Sequence, residues 1–422
     1  MEKTLDQWLQ YQLTTHPQGI AMGLSRVAQV AQVLGLARPA RHVITVGGTN
    51  GKGSTVAFIE AIARAAGLRV GAFTSPHLLA YNERVRIDGR DASDAILVAA
   101  FERIEAARGD TPLTYFEFGT LAALLIFAES SLDLAILEVG LGGRLDAVNI
   151  IDADVSVITT VDIDHEEYLG RDRETIGADK AGIFRAGKPC VLGERDPPSA
   201  VLRRAYELGA PAIRAHADYL VHVRADGWTW AEPGCALELP LPAALSAPAQ
   251  LDNAAAAIAA LRALPVQLPE HAFADGIASA RVPGRLQVIG QAPEVVVDVA
   301  HNVQAAEQLA KWLALHPMPT FAVFSALKDK DIEGIAARLG PYIQQWFVAG
   351  MADAGARGLS GVEIAARLAV SVGERCLVFD DVAGALLAAR RQAPATARVL
   401  VFGSFHTAAA VLKGDGGERE RV

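Results

Sequence analysis

The sequence predicts an α/β protein: a parallel sheet covered by helices on both faces, then a second, smaller α/β unit. Three observations carry that expectation. Short apolar runs alternate with longer helix-periodic stretches through the first half of the chain, the pattern of parallel strands joined by crossover helices. The alternation stops at Arg281-Val282-Pro283-Gly284-Arg285 and then restarts. A chain of 422 residues is also too long for one ordinary hydrophobic core, so two domains are expected.

In the first half, strands are expected over 42–46, 69–73, 133–139, 154–160 and 189–193, and helices over 54–66, 92–108 and 117–130. The strands are short apolar runs, as strands buried on both faces require. Ligands of such sheets bind at the carboxyl ends of the strands. The polar and glycine-rich loops of this chain follow strand ends, at 47–54, 75–84, 139–146 and 161–169. Residues 218–240, where Trp228 and Trp230 alternate with Thr229, predict a small β-rich insertion. An alanine-rich helix is expected over 251–264 with Asp252 as its N-cap. Beyond Arg285, strands are expected over 294–299, 319–324, 345–349, 376–380 and 398–402. The domains are placed at 1–286 and 287–422, and the charged, glycine-rich tail 413–422 is expected to be disordered.

Composition narrows the function classes. Hydrophobic residues make up 51% and charged residues 21%, the balance of a packed globular protein. A net charge of -9 argues against a nucleic-acid partner, which needs a basic face. It leaves room for anionic small substrates at local clusters such as Arg84, Arg86 and Arg144. No apolar run reaches the roughly 18 residues that span a bilayer. The start, Met-Glu-Lys-Thr-Leu-Asp-Gln, lacks the basic and apolar segments of a signal peptide. No membrane association and a cytoplasmic location are therefore expected. Cys190, Cys235 and Cys376 are odd in number and share no close spacing, so neither a disulfide framework nor a zinc site is indicated.

The most informative stretch is Val43-Ile44-Thr45-Val46-Gly47-Gly48-Thr49-Asn50-Gly51-Lys52-Gly53-Ser54. An apolar strand runs into a glycine-rich turn with a lysine, and a helix follows. Backbone N–H groups of such a turn and the positive end of the helix face phosphates, and Lys52 adds a point charge. The spacing departs from the usual P-loop: three residues, not four, separate Gly47 from Gly51, and Gly53 is inserted between Lys52 and Ser54.

Other residues are informative to different degrees. Glu138 ends an apolar strand, where a charge is costly unless paired or metal-bound. Beside a phosphate loop it suits a magnesium ligand, the alternative being a solvated strand-end carboxylate. By themselves His165 reads as a structural histidine, Lys180 as a solvated helix-face lysine, and Ser75 before Pro76 as a turn initiator. Tyr115 and Phe116 read as core.

Taken in order, several segments resemble the Mur ligase superfamily. They are Gly48-Thr49-Asn50-Gly51-Lys52-Gly53-Ser54, Ser75-Pro76-His77-Leu78, Glu83-Arg84-Val85-Arg86, Glu138-Val139-Gly140-Leu141-Gly142-Gly143-Arg144-Leu145-Asp146 and Asp179-Lys180-Ala181-Gly182-Ile183. Within that superfamily they are most similar to the folylpolyglutamate synthase branch and its bacterial bifunctional dihydrofolate synthase/folylpolyglutamate synthases. The resemblance runs from about Gly23 to Thr407. It implies a Mur-ligase-type P-loop ATPase domain with a parallel sheet, a smaller C-terminal Rossmann-like domain, and a chain that acts as a monomer.

The resemblance also implies the site. Thr49, Asn50, Gly51, Lys52, Gly53 and Ser54, with Asn253, Arg285 and Asp298, would bind ATP. His301 would stack near the nucleotide. Ser75, Glu138 and His165 would hold magnesium, two ions in all, and Lys180 would be carbamylated so that it faces the metals as a carboxylate. Imidazole is an unusual magnesium ligand, so oxygen donors near His165 must complete the site. Gly23, Leu24, Ser25, Arg26, Thr114, Tyr115, Phe116, Glu117 and Leu145 would contact the pterin. Lys52, Lys180 and His301 would be the catalytic residues. The family commonly has proline after the Asn of Asp298-Val299-Ala300-His301-Asn302, where this chain has Val303.

The implied reaction is ATP-dependent ligation of L-glutamate to dihydropteroate and to the γ-carboxylate of folates, through an acyl phosphate, in folate and one-carbon metabolism. Domain closure would bring Asp298 and His301 onto the nucleotide. A single-activity synthase, a peptidoglycan-type Mur ligase and a nucleotide-binding switch module are the competing readings. The pterin-type segments disfavour the second. Glu138, His165 and Lys180 disfavour the third, because a switch needs no second metal site.

Overall fold

The computed structural model describes residues 3–242, 245, 247–351, 355, 357–373 and 375–419, with side chains to residue 413. The chain divides into two compact units: Met1–Pro242 with Gln250–Arg281, and Ala243–Ala249 with Val282–Val422. The break at 281/282 falls at the Arg281–Arg285 punctuation, a few residues before the position expected from sequence, and a short earlier segment joins the second unit.

The first unit is built on eight strands: His42–Gly47 (β1), Val70–Phe73 (β2), Val85–Ile87 (β3), Arg90–Asp91 (β4), Leu134–Glu138 (β5), Val155–Ile158 (β6), Cys190–Leu192 (β7) and Ala212–Arg214 (β8). They lie in the order β4-β3-β2-β5-β1-β6-β7-β8. From β2 to β8 all pairs are parallel. The β2–β3 and β3–β4 pairs are antiparallel, so the sheet is mixed at one edge and not wholly parallel as expected. The reason is local: residues 74–84 form a tight loop that returns the chain beside β2. β1 sits between β5 and β6, so the loop after it opens at the point where connections leave to both sides, the usual crevice of such sheets.

Helix Tyr115–Glu129 is buried from Glu117 through Phe127, on every face, which its nearly uninterrupted apolar sequence permits. Helix Lys52–Ala65 starts two residues before the expected position, because Gly51 in a left-handed conformation serves as its N-cap. Helix Pro248–Arg262 likewise begins before Asp252, which lies exposed inside the helix and is not its cap. Proline suits a first turn, where its missing N–H costs nothing. The 218–240 segment forms an antiparallel three-stranded sheet, Leu220–Val223 (β9), Trp228–Glu232 (β10) and Cys235–Leu239 (β11). Trp228 and Trp230 share its buried face, and Trp230 stacks on Tyr219 with ring centroids 5.7 Å apart.

The second unit has six strands: Gln287–Gln291 (β12), Glu294–Val297 (β13), Thr320–Phe324 (β14), Ile343–Ala349 (β15), Cys376–Phe379 (β16) and Arg398–Phe402 (β17). Their order is β12-β13-β17-β14-β15-β16, parallel except for the β12 edge, which the sequence reading missed. Phe324, Trp346 and Phe402 form an aromatic centre under helices Ile332–Leu339 and Gly361–Val372. Val303 is the first residue of helix Val303–Leu315, which Asn302 caps by accepting from the Ala305 N–H at 3.0 Å. A proline there would be tolerated for the same reason that valine is: the first helical N–H has no partner to lose.

Helix Phe405–Arg419 crosses much of the tail expected to be disordered, and residues 420–422 lie outside the described residues. Its start is anchored by the buried residues Ala408, Val411 and Leu412. Among the described residues, no helix is long and apolar enough to cross a membrane.

Candidate active site

The loop after β1 is held open by backbone that only glycine fits. Gly48 has φ +144°, and a Cβ there would stand 1.9 Å from Thr159 Oγ1. Gly51 has φ +88°, and a Cβ there would stand 2.3 Å from Asn253 Oδ1. Thr159 and Thr160, just past β6, brace the turn. The Thr159 hydroxyl donates to Asn50 O at 2.6 Å, and Thr160 Oγ1 accepts from the Asn50 N–H at 3.1 Å. Thr49 Oγ1 donates to Asp162 O at 3.1 Å and accepts from the Asp162 N–H at 3.0 Å. The Lys52 ammonium donates back to Gly48 O and Thr49 O at 3.0 and 3.2 Å. In the first turn of the helix, the Ser54 and Thr55 hydroxyls are buried with no hydrogen-bond partner among the described residues. Buried hydroxyls are normally satisfied, so this pair marks a place where a polar ligand fits. Gly53, with its missing side chain facing the Glu138 carboxylate, keeps that approach clear.

Glu138 is 4% exposed and pairs in register with Val46, so its carboxylate sits beside the phosphate loop at the end of β5. It accepts the Ser75 N–H at 3.1 Å, which ties the 75–84 loop to the same corner. That loop is internally ordered. The Glu83 carboxylate accepts the N–H groups of Leu78, Leu79 and Ala80 at 2.7, 2.7 and 2.8 Å. Arg84 Nε donates to His77 Nδ1 at 2.9 Å, and its guanidinium lies over the Tyr81 and Tyr115 rings.

Lys180 does not have the solvated tip that its position on a helix suggests: it is 3% exposed. Burial, reinforced by Lys52, pushes its ammonium down to about 7 against the opposing pull of Asp164, Asp179 and Asp146. His165 caps helix Glu166–Leu169 with φ +52°, a left-handed conformation that a non-glycine residue holds only when its surroundings impose it. Among the described residues no three His, Cys, Asp or Glu side chains already form a metal cage.

A cavity of about 250 Å³ opens beside these groups. Ser75, Arg84 and His165 line one part of it, and Gly23, Thr114, Phe116, Glu117, Leu145 and Asp146 line the rest. Leu24, Ser25, Arg26 and Tyr115 are not in the lining. Leu24 and Ser25 start helix Ser25–Val33. Arg26 instead ion-pairs with Glu117 at 3.0 Å and donates to Ala21 O at 2.7 Å, and Tyr115 packs edge-on against Tyr81. Glu117 also closes a capping box with Thr114, so one carboxylate orders the cavity wall and the helix start.

Sequence reasoning assigned no role to Asp146. It is 4% exposed, accepts the N–H groups of Gly140, Leu141 and Val148, and lines the cavity. Burial pushes its carboxyl up to about 6. The available signal was a carboxylate closing a glycine-rich loop.

In the second unit Arg285, Asp298 and His301 gather at the carboxyl end of β13. Asp298 accepts the Leu286 and Ala300 N–H groups at 2.9 and 2.8 Å, and burial raises its pKa against the pull of Arg285. His301 Nδ1 donates to Val299 O at 2.9 Å. Phe405 stands beside His301 at 6.3 Å and under the Arg285 guanidinium at 5.4 Å.

Comparison with known proteins agrees with both units. The Mur ligase middle domain matches residues 46–261, and the Mur ligase glutamate ligase domain matches residues 284–405. The dihydrofolate synthase/folylpolyglutamate synthase of Escherichia coli (strain K12) is 45% identical over 97% of this chain and 95% of its own length. That of Haemophilus influenzae is 40% identical over 96% of each chain. Among solved structures, E. coli FolC in complex with DHPP and ADP superposes with a TM-score of 0.94 at 44% identity, covering 99% of both chains. The Yersinia pestis bifunctional enzyme with Mn, AMPPNP and L-glutamate bound gives 0.90 at 45% identity over 98% of both. The chain belongs to the dihydrofolate synthase/folylpolyglutamate synthase family of the Mur ligases.

Proposed function

We propose that this chain is an ATP-dependent amide ligase that adds L-glutamate to dihydropteroate, giving dihydrofolate, and to the γ-carboxylate of folates. The observation that carries the reading is the single cavity joining Ser75 and His165 to Phe116 and Asp146. It lets one acceptor put its carboxylate toward the phosphate-loop corner and its flat ring against an aromatic wall. Asp146, whose carboxyl burial pushes up to about 6, offers an acceptor suited to the amino and ring N–H groups of a pterin. Support comes from solved relatives, one in complex with DHPP and ADP and another with Mn, AMPPNP and L-glutamate bound.

The phosphate loop and Ser54 hold the triphosphate, and Lys52 exchanges its loop carbonyls for phosphate oxygens. An acceptor carboxylate oxygen attacks the γ-phosphorus, the bond to ADP breaks, and an acyl phosphate forms. The α-amine of glutamate then attacks the acyl carbon, phosphate leaves, and the nitrogen loses a proton. Asn253, beside Gly51 of the phosphate loop, serves the nucleotide, and a cytoplasmic setting supplies it.

Ser75, Glu138 and His165 would hold magnesium, which when bound neutralises charge on the transferring phosphoryl group. The donor set fits a hard cation only if a further oxygen donor joins Glu138. Lys180 can supply it: with its pKa near 7 a large share of the amine is neutral, the form that reacts with carbon dioxide to give a carbamate.

The test is to supply ATP and L-glutamate with dihydropteroate, tetrahydrofolate or a Mur-type UDP-sugar peptide, and to follow phosphate release and glutamylated product. Both pterin acceptors should be used, and Lys52→Ala and Glu138→Ala should lose both activities together. Use of one acceptor alone reduces the reading to a single-activity synthase. Turnover of the UDP-sugar alone overturns it.

A further inference from the structure

The segment that carries His165 leaves β6 and has no strand ladder to hold it. Its left-handed residue therefore needs fixing from outside. On one side Thr49 grips both backbone groups of Asp162. On the other, a pair of charged residues grips both backbone groups of Val161. Glu194, just past β7, accepts the Val161 N–H at 3.1 Å, and Arg173 Nε donates to Val161 O at 2.8 Å. Arg173 Nη2 closes the arrangement onto Glu194 Oε2 at 3.0 Å and onto Asp196 O at 2.9 Å. Neither residue lines the cavity.

A contribution to global stability is a poor account of this pair. Arg173 is 39% exposed, and pairs open to solvent on one side contribute little, about 0–1 kcal/mol. Glu194 is also held where burial disfavours its charged form. What the pair does well is immobilise one backbone residue, on both its donor and its acceptor, four positions before His165.

We propose that Arg173 and Glu194 are positioning residues for His165: by clamping Val161 they fix the run to His165, so that its imidazole is presented to a divalent cation in one orientation. The proposal rests on the reading of His165 as a metal-facing residue. Groups that orient a metal ligand without touching the metal commonly affect affinity 10–100-fold.

Mn²⁺ binding to the full chain with a non-hydrolysable ATP analogue, read by the electron paramagnetic resonance signal of free Mn²⁺, is the direct test. Glu194→Ala and Arg173→Gln should weaken Mn²⁺ binding about 10–100-fold while Tm moves only a few degrees. Arg173→Lys should recover part of the affinity, because an ammonium can reach Glu194 or Val161 O but not both in the forked geometry. In turnover, the magnesium concentration at half-maximal rate should rise while the KM for dihydropteroate stays unchanged. If Glu194→Ala fails to fold, Glu194→Gln, which keeps an acceptor for Val161 but removes the charge, should show an intermediate loss. Wild-type Mn²⁺ affinity in the folded Glu194 and Arg173 variants, with only a lowered Tm, overturns the proposal. His165→Ala separates the two failures: if it too binds Mn²⁺ as the wild type does, the metal reading of His165 has failed, and the positioning role with it.

Discussion

Replacing Lys180 by methionine should make the protein more stable and inactive, by an amount that depends on pH in a defined direction. Lys180 is 3% exposed, and its ammonium is pushed from 10.5 down to about 7 by burial and by Lys52. In the unfolded chain the same group stays protonated up to its ordinary value. Between those two values the unfolded state binds more protons, so wild-type stability rises with pH across that window. The cost of burying the charge is therefore complete below about 7 and relieved as pH approaches 10.5. At about 1.4 kcal/mol per tenfold change in acidity, the whole gap amounts to about 5 kcal/mol. Methionine has a similar length and no charge, and the Lys180 backbone packed against Gly143 is unaffected. In carbon-dioxide-depleted buffer, Lys180→Met should gain about 5 kcal/mol at pH 6 and about 2 kcal/mol at pH 9, read by urea denaturation. The pull of Asp146, Asp164 and Asp179 on the ammonium is already contained in the value of about 7, so it does not reduce the gain further. A gain that is the same at pH 6 and pH 9 would mean that packing, not charge, is at work. No gain at either pH would refute the reasoning altogether. Adding bicarbonate should narrow the difference by stabilising the wild type alone, since only a lysine can be carbamylated.

The remaining expectations are narrower. Gly48→Ala must leave φ +144° and displace the Thr159 hydroxyl from Gly47 O and Asn50 O, at about 3–5 kcal/mol in strain and lost hydrogen bonds; ADP binding measured by calorimetry should fall by at least about 100-fold, and an unchanged affinity would remove the loop from the nucleotide site. Lys52→Ala should lower turnover on the order of 10²–10³-fold with Tm within a few degrees, because the ammonium donates to the carbonyls of its own surface loop, Gly48 O and Thr49 O; near-normal turnover would count against the phosphate cradle. Phe116→Ala and Arg26→Ala should raise the KM for dihydropteroate more than that for tetrahydrofolate, the first by removing the aromatic wall and the second only through Glu117. Equal effects on both acceptors would show that these residues do not distinguish the two substrates.

Much of the fold was legible in the sequence because it rests on local rules. Strands β1, β2, β5, β6 and β7 are short, mainly apolar runs, and a run buried on both faces has few other options. The turn from Gly47 to Ser54 was readable because glycine at φ +144° and +88° is demanded by the backbone itself. Glu138 was readable as an unusual charge on an apolar strand. Thr114 and Glu117 were singled out only by resemblance, as pterin contacts; that they also form a capping box at the start of helix Tyr115–Glu129 was seen in the structure. Short elements escaped the sequence reading: β3, β4, β8 and β12 are two to five residues long and owe their existence to the neighbour they pair with.

Only the tertiary structure decided the electrostatics. Lys180 and Asp146 carry charges in ordinary polar sequence, and nothing local tells that each is buried; the packing of residues 140–146 against helix Arg173–Lys180 does that, and with it shifts both groups toward neutrality. Only packing paired Arg26 with Glu117, set Phe405 beside His301, and turned Arg173 and Glu194, 21 positions apart, into one clamp on Val161. Hydrophobic periodicity is a property of neighbours along the chain, whereas burial and the meeting of charges depend on residues far apart in sequence, which only the folded chain brings together.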